Sequence, residues 1–167
     1  METIYFSGGC LWGVQEFMKH LPGVERTQAG RVNGATHSTK TAYDGYGECV
    51  KMEFDPAIVS LETLIDYLFE IIDPYSINKQ GNDVGEKYRT GIYSKETNHL
   101  LEAKCHIERL ENALNDKNRT RKKVAVEVLP FTNYIPSDNE HQDRLTLFPD
   151  DYCHIPLRLL HKYKKKI

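Results

Sequence analysis

The chain has 167 residues, 40% hydrophobic and 28% charged, with a formal net charge of −2. That length supports one domain with a substantial core, and the composition excludes disorder. The charge balance provides no long-range pull toward nucleic acid or a membrane surface, no apolar run approaches a membrane span, and METIYFSGG lacks the basic start and apolar stretch of a signal peptide, so a cytoplasmic protein is expected.

TIYFSGG reads as a short strand running into a glycine turn. From Cys10 the pattern changes: Leu11, Val14, Met18 and Leu21 form a helical stripe that stops at Pro22-Gly23. Cys10 therefore sits at a strand-to-helix turn. From Glu48 to Phe54 the chain alternates, with Glu48, Val50, Met52 and Phe54 on one face and Cys49, Lys51 and Glu53 on the other. Leu61, Leu64, Ile65, Leu68, Phe69 and Ile72 then mark an amphipathic helix, and DPYSINKQGNDVGEK a long polar loop. YRTGIYS is strand-like, Leu100, Ala103, Ile107, Leu110 and Leu114 mark another helix, and Val124, Val126 and Val128 alternate as a further strand. Ser137-Asp138-Asn139-Glu140 fits a capping box that should start a short helix. FPDDYCHIPLRLLHKY is irregular at first and helical near its end, and the basic tail HKYKKKI reads as a solvated terminus. No repeat, low-complexity tract or linker interrupts this order.

The four cysteines, at 10, 49, 105 and 153, are scattered without the ligand spacing of a zinc site, and a disulfide scaffold is not expected in a chain of this size and profile. Each thiol is judged by its surroundings. At a helix N-terminus the free N–H groups and the macrodipole favour a thiolate at Cys10, and flanking glycines allow close approach; the alternative is a small buried residue at a turn. Trp12, the only tryptophan, is either core or the wall of a pocket. Glu48 shares a face with core residues, where burial raises a carboxyl pKa and suits a proton donor; the alternative is a strand-end carboxylate reaching solvent or an arginine. Asp83 and Tyr88 stand among turn formers in a loop that either carries function or merely turns. Cys49 and Cys105 read as bystanders. Cys153 lies in an irregular segment, as a mobile thiol or a tail cysteine without a role. His99 and His106 are too far apart in sequence for a metal pair on one helix face, and although His141 can face the site, no ligand set converges.

Taken together, these residues resemble the peptide methionine sulfoxide reductase A family over nearly the whole chain, from Gly8 to about Pro156. GCLWG (9–13) is similar to the family's cysteine signature, with Leu11 where phenylalanine is usual. GECVKMEFDP (47–56) resembles the strand at the catalytic glutamate, which falls on Glu48. QGNDVGEKYRTGIY (80–93) is similar to the loop carrying the substrate-pocket aspartate and tyrosine, at Asp83 and Tyr88. EHQDRL (140–145) resembles the His-Gln helix, and DYC (151–153) the motif of the resolving cysteine, at Cys153. The chain also departs from the pattern. The usual second pocket tyrosine falls on Thr36, leaving Tyr43 or Tyr46 to supply that hydroxyl; Tyr46 and Glu140 stand where histidine and tyrosine are common; no cysteine follows Cys153.

With the interleaved strands and helices, the resemblance implies a single α+β domain over 1–167, a two-layer sandwich of helices on a mixed sheet with a ferredoxin-like core and an irregular C-terminal segment from about 147. It implies thiol-dependent reduction of the S epimer of methionine sulfoxide, free or in proteins. Cys10 is then the nucleophile, Glu48 the proton donor, and Cys153 the thiol that closes a disulfide. Trp12, Leu11, Tyr43, Tyr46, Asp83 and Tyr88 line the substrate site, a thioredoxin-like dithiol restores the enzyme, no metal or organic cofactor takes part, and a monomer is the default. Two rivals remain: another thiol enzyme with a Cys–His pair, and a redox switch whose Cys10–Cys153 disulfide changes its shape.

Overall fold

The computed structural model describes residues 1–165, so the last two residues of the basic tail lie outside it. Strand β1 (Glu2–Gly8) ends at the glycine turn, and helix α1 (Leu11–Met18) starts directly after Cys10. β2 (Val24–Val32), β3 (Gly47–Phe54) and α2 (Leu61–Ile71) follow. The polar loop carries a small ladder, β4 (Lys79–Gln80) against β5 (Asp83–Val84), and a 3-10 turn over Glu86–Tyr88. β6 (Thr90–Ser94), the long α3 (Thr97–Asn118), β7 (Glu127–Pro130) and β8 (Tyr134–Pro136) complete the frame. Short helices α4 (Arg144–Leu147) and α5 (Leu157–Leu160) lie in the C-terminal segment. The result is a mixed α+β fold. No described helix is long and apolar enough to cross a membrane.

Six strands form one sheet in the order β7-β6-β1-β3-β2-β8, antiparallel except for the β6–β7 pair. The period-two alternation of β3 sends Val50, Met52 and Phe54 to one face, where they join Ile4, Phe6 and Ile92. Against that face pack Val14, Phe17 and Met18 of α1, Leu64, Ile65 and Leu68 of α2, and Ala103 and Ile107 of α3. Each large side chain so buried contributes about 1.5–3 kcal/mol from its removal from water. Helix α2 begins where the Ser60 hydroxyl accepts the Thr63 N–H at 3.1 Å, so its apolar stripe starts in register. At the end of β1 away from the glycine turn, His99 of α3 sits between Glu2 and Glu96 at 3.1 and 3.2 Å, tying that strand to the helix start.

Several expectations from sequence need correction. Helix α1 ends at Met18, short of Leu21, and Pro22-Gly23 lies beyond the following turn. The Ser137–Glu140 segment forms only a three-residue 3-10 turn, with no side-chain cap. Val124 and Val126 are buried but precede β7, with the Ala125 N–H donating to the Pro74 carbonyl rather than to a strand. Cys49 is not on a polar face: it is 1% exposed in a second, smaller cluster with Tyr5, Val32 and Tyr93, covered by Phe131 and Tyr134. The tail is not wholly solvated, since Tyr163 packs edge-on against Phe17 and Tyr67, and both Tyr163 and Lys162 reach Glu70. β2 and β8 had no sequence signal strong enough to be expected, and the helix expected from the 140–145 block starts only at Arg144, as α4.

Candidate active site

Cys10 occupies the N-cap position of α1, its backbone still extended (φ −57°, ψ 127°). Gly9 before it has φ +91°, and a Cβ there would come within 2.8 Å of Gln80 Cβ and 2.9 Å of the His154 ring. Only glycine fits both the conformation and the close approach. The first N–H of the helix, on Leu11, donates to Glu48 Oε2 at 3.3 Å, across 37 positions of sequence. The start of α1 therefore serves two acidic groups, the Glu48 carboxyl through Leu11 and the Cys10 sulfur through the Trp12 N–H.

The balance at Cys10 differs from the thiolate expected of a helix start. Burial and the charge of Glu48 push the thiol up to about 12, outweighing the Trp12 N–H, and Asp83 and Cys153 add to the rise. Burial also pushes Glu48 up to about 6, with the Leu11 N–H, Lys87 and Arg31 holding it lower and Asp83 raising it. Arg31 owes its place to β2, where it stands opposite Glu48 in the β2–β3 register.

Other groups wall this pair. The Trp12 indole N–H donates to His141 Nδ1 at 3.1 Å, and the Arg144 guanidinium lies 5.1 Å from the Trp12 ring. Tyr88 lies within electrostatic reach of both Glu48 and Cys10, and its phenol is raised by burial and then by Glu48. The Lys87 ammonium stands 5.0 Å over the Tyr88 ring. A cleft of ≈ 370 Å³ opens beside Lys87, bounded also by Arg31, Tyr43, Tyr46 and Glu86. Tyr43 is 47% exposed, and its hydroxyl donates to the Tyr46 carbonyl at 2.6 Å. Thr36, at the place of the usual second tyrosine, is bound to Asp44. Leu11 is buried and meets Glu48 through its backbone.

Cys153 comes back to α1 from the C-terminal segment. Its sulfur accepts the Ile155 N–H at 3.4 Å and lies against Gly13, where a Cβ would be only 2.7 Å from it and 3.0 Å from Ile155 Cδ1. Gly13→Ala therefore sets two effects of similar size against each other. Helix propensity favours alanine by about 1 kcal/mol, while the overlap costs about 1–3 kcal/mol. The expected result is a small change in urea-unfolding stability but a displaced Cys153, measured as faster alkylation of that thiol by iodoacetamide.

Of the residues singled out from sequence, Cys10, Glu48, Asp83, Tyr88 and Cys153 are brought together, with Trp12 and His141 beside them. Tyr43 is turned to backbone, Cys105 is exposed on α3, and Cys49 is buried in the other cluster. Sequence reasoning missed Arg31, Lys87 and His154. Arg31 lies on a strand with no clear alternation, Lys87 is one lysine in a polar loop, and His154 was hidden beside a more conspicuous cysteine. The carboxylates and imidazole of Glu2, Glu96 and His99 offer three possible ligand atoms within 4.8 Å of one another, away from this site.

A family model described as peptide methionine sulfoxide reductase matches residues 2–167. A peptide methionine sulfoxide reductase MsrA of Clostridium perfringens is 40% identical over 164 residues, covering 94% of this chain and 99% of its own. Among solved structures, methionine sulfoxide reductase A of Corynebacterium diphtheriae is 30% identical with a TM-score of 0.82, over 91% of this chain and 77% of that one. Mxr1 of Saccharomyces cerevisiae in reduced form is similar in fold, with a TM-score of 0.81 at 22% identity, over 91% and 88% of the two chains. The same yeast protein in complex with Trx2 aligns with a TM-score of 0.60 at 19% identity, over 86% and 84%.

Proposed function

We propose the residue roles below from one premise, that this chain belongs to the peptide methionine sulfoxide reductase family, whose reaction is the thiol-dependent reduction of methionine sulfoxide that repairs oxidised proteins. The observation that carries the assignment is the meeting of the Cys10 thiol and the Glu48 carboxyl at the first turn of α1. The pair holds one proton at neutral pH. On the thiol it is unreactive; moved to Glu48, it leaves a thiolate beside a carboxylic acid, both parts the reaction needs.

In this reading Trp12 holds the sulfur-borne methyl group against its ring, since sulfur and its methyls favour aromatic contact. Its indole N–H is engaged by His141, which supports a fixed ring orientation. Tyr88, with Tyr46, hydrogen-bonds the sulfoxide oxygen. Tyr46 is preferred to Tyr43 because the Tyr43 hydroxyl already has a partner. Glu48 passes its proton to that oxygen as the Cys10 sulfur attacks the substrate sulfur. The S–O oxygen ends as the hydroxyl of a Cys10 sulfenic acid, and methionine leaves. Cys153 then attacks the Cys10 sulfur, water departs, and a disulfide remains for an external dithiol to reduce. A thioredoxin is the partner proposed, supported by the solved complex of yeast Mxr1 with Trx2.

The substrate proposed is the S epimer, free or in peptides. The test is reduction of each purified epimer with dithiothreitol as the dithiol. Turnover confined to the S epimer supports the assignment, and equal turnover of both overturns it. Cys153→Ser is expected to keep turnover with dithiothreitol, which reduces the sulfenic acid directly, and to lose at least about tenfold with thioredoxin, which needs a disulfide to attack. Equal loss with both reductants would place Cys153 in the first step instead.

We also propose that residues 1–167 form one domain with a two-layer, ferredoxin-like core. The order β6-β1-β3-β2, with α1 between β1 and β2 and α2 between β3 and β6, supports it. A monomer in the cytoplasm is proposed, the compartment in which thioredoxin keeps thiols reduced.

A further inference from the structure

The second half of the cycle poses a proton problem that Glu48 and Cys10 do not solve alone. Cys153 must lose a thiol proton, and the hydroxyl on the Cys10 sulfur must gain one to leave as water. Burial raises the Cys153 thiol, so it does not ionise unaided near neutral pH.

His154, the next residue in the chain, has only 3% of its side chain exposed. Its Nε2 lies 3.1 Å from the Gly8 carbonyl, which can only accept, so Nε2 carries a hydrogen. Its Nδ1 lies 3.4 Å from Asp83 Oδ2, out of line for a hydrogen bond. Both atoms are buried and neither has another partner. If the ring held one hydrogen, its Nδ1 lone pair would face a carboxylate oxygen in a water-poor site, an unfavourable pairing of two acceptors. One further proton between Nδ1 and Oδ2 removes the conflict. Burial lowers the affinity of the ring for that proton, although Asp83 and the Gly8 carbonyl oppose the shift, so it is held loosely. The His154 ring also packs on Gly9, which precedes Cys10.

We propose that His154 and Asp83 form a proton-holding pair that serves disulfide closure between Cys10 and Cys153, a role that rests on the assignment of those two cysteines above. As the Cys153 sulfur attacks, the S–O bond of the Cys10 sulfenic acid breaks and the S–S bond forms. The departing hydroxyl takes the shared proton through Asp83 and leaves as water. The Cys153 thiol proton returns to the pair, which ends as it began, and no further oxidant or reductant takes part. The pair is placed for this because His154 follows Cys153 in the chain, its ring lies against Gly9 just before Cys10, and Asp83 lies 3.4 Å from that ring, with its charge felt at both thiols. The titratable groups around the pair are Cys10 from the β1–α1 turn, Cys153 on the same segment as His154, and Glu48 from β3.

The experiment is a single turnover. Reduced enzyme is mixed with one equivalent of methionine-S-sulfoxide, and methionine release and loss of two thiols are followed separately by rapid quench. His154→Gln retains an N–H for the Gly8 carbonyl but holds no titrating proton. It is expected to slow thiol loss at least about tenfold relative to methionine release. The wild-type closure rate is expected to fall as pH rises from about 5 to 8, as the shared proton is lost, and in the variant to lose that dependence. Imidazole is expected to restore closure to His154→Gly, which a purely structural role would not allow. Wild-type closure rate and pH profile in His154→Gln would overturn the pair. So would an equal slowing of both steps, which would make His154 only a support for the Cys10 turn, or failure of imidazole to act. If the wild type releases methionine without losing two thiols, the Cys10–Cys153 disulfide itself is wrong and the pair falls with it.

Discussion

Cys10→Ser is expected to abolish methionine sulfoxide reduction with any dithiol, lowering the single-turnover rate at least ~10⁴-fold, while leaving the protein as stable as wild type or slightly more so. In the role proposed for Cys10 the loss follows from chemistry: removal of a nucleophile on which both bond-making and bond-breaking depend costs several orders of magnitude, and a serine oxygen cannot become the sulfenic acid that the proposed second step consumes. The unchanged stability follows from position. Cys10 is the N-cap of α1 and makes no side-chain cap hydrogen bond there. Serine is among the preferred N-cap residues, contributing about 0.5–2 kcal/mol relative to alanine. Methionine release from one equivalent of sulfoxide measures the first effect and thermal unfolding the second. Residual turnover above ~1% of wild type with a cooperative melt would show that another thiol attacks.

Glu48→Gln is expected to move two reactivities of Cys10 in opposite directions. The charge of Glu48 is the second largest cause of the raised Cys10 thiol, after burial. Neutralising it lowers the thiol, so iodoacetamide alkylation of Cys10 at neutral pH should become faster. Sulfoxide reduction should fall about 10²–10⁴-fold, because glutamine cannot give its proton to the sulfoxide oxygen. A residue that merely shaped the pocket would change both reactions in the same sense.

The pH dependence follows from the same pair. With Glu48 near 6 and Cys10 near 12, the one-proton form dominates between those values. In the proposed mechanism that form contains the reactive arrangement, so the methionine-forming rate is expected to be flat above pH 6. Below 6 the second proton enters, and the rate should fall about tenfold per unit. If the thiol were already ionised and Glu48 acted alone as an acid, the rate would instead decline above pH 6. Rapid-quench measurement from about pH 5 to 9 separates the two, and in Glu48→Gln the break near 6 should vanish, leaving a slow rate that rises with pH as the still-buried Cys10 ionises.

Much of the site was legible because its parts are set locally. The stripe Leu11, Val14 and Met18 places a helix after Cys10, and all three are buried in α1. The alternation of β3 puts Glu48 on the face of Val50 and Met52, since successive side chains on a strand must point to opposite sides. The motif blocks add order along the chain, and the family follows from them. β2 was not legible because its early residues are half-buried or exposed and carry no apolar alternation. Its pairing with β3 and β8 is what makes it a strand. Cys49 was misplaced because a strand pattern reports faces, whereas Phe131 and Tyr134, far along the chain, decide that its face is covered.

The sequence by itself determined the secondary structure around Cys10 and Glu48, which residues are proposed to react, and the family to which the chain belongs. Periodicity and turn chemistry act between neighbours within a few residues, so they can be read in one dimension. Only the tertiary structure decided the protonation of the site. Desolvation and Coulomb interactions depend on what lies within a few ångströms, and here those neighbours come from β3, the β5 loop and the C-terminal segment. The helix start that favours a thiolate in isolation instead holds a protonated Cys10 beside Glu48, and a buried imidazole and carboxylate meet next to the second thiol.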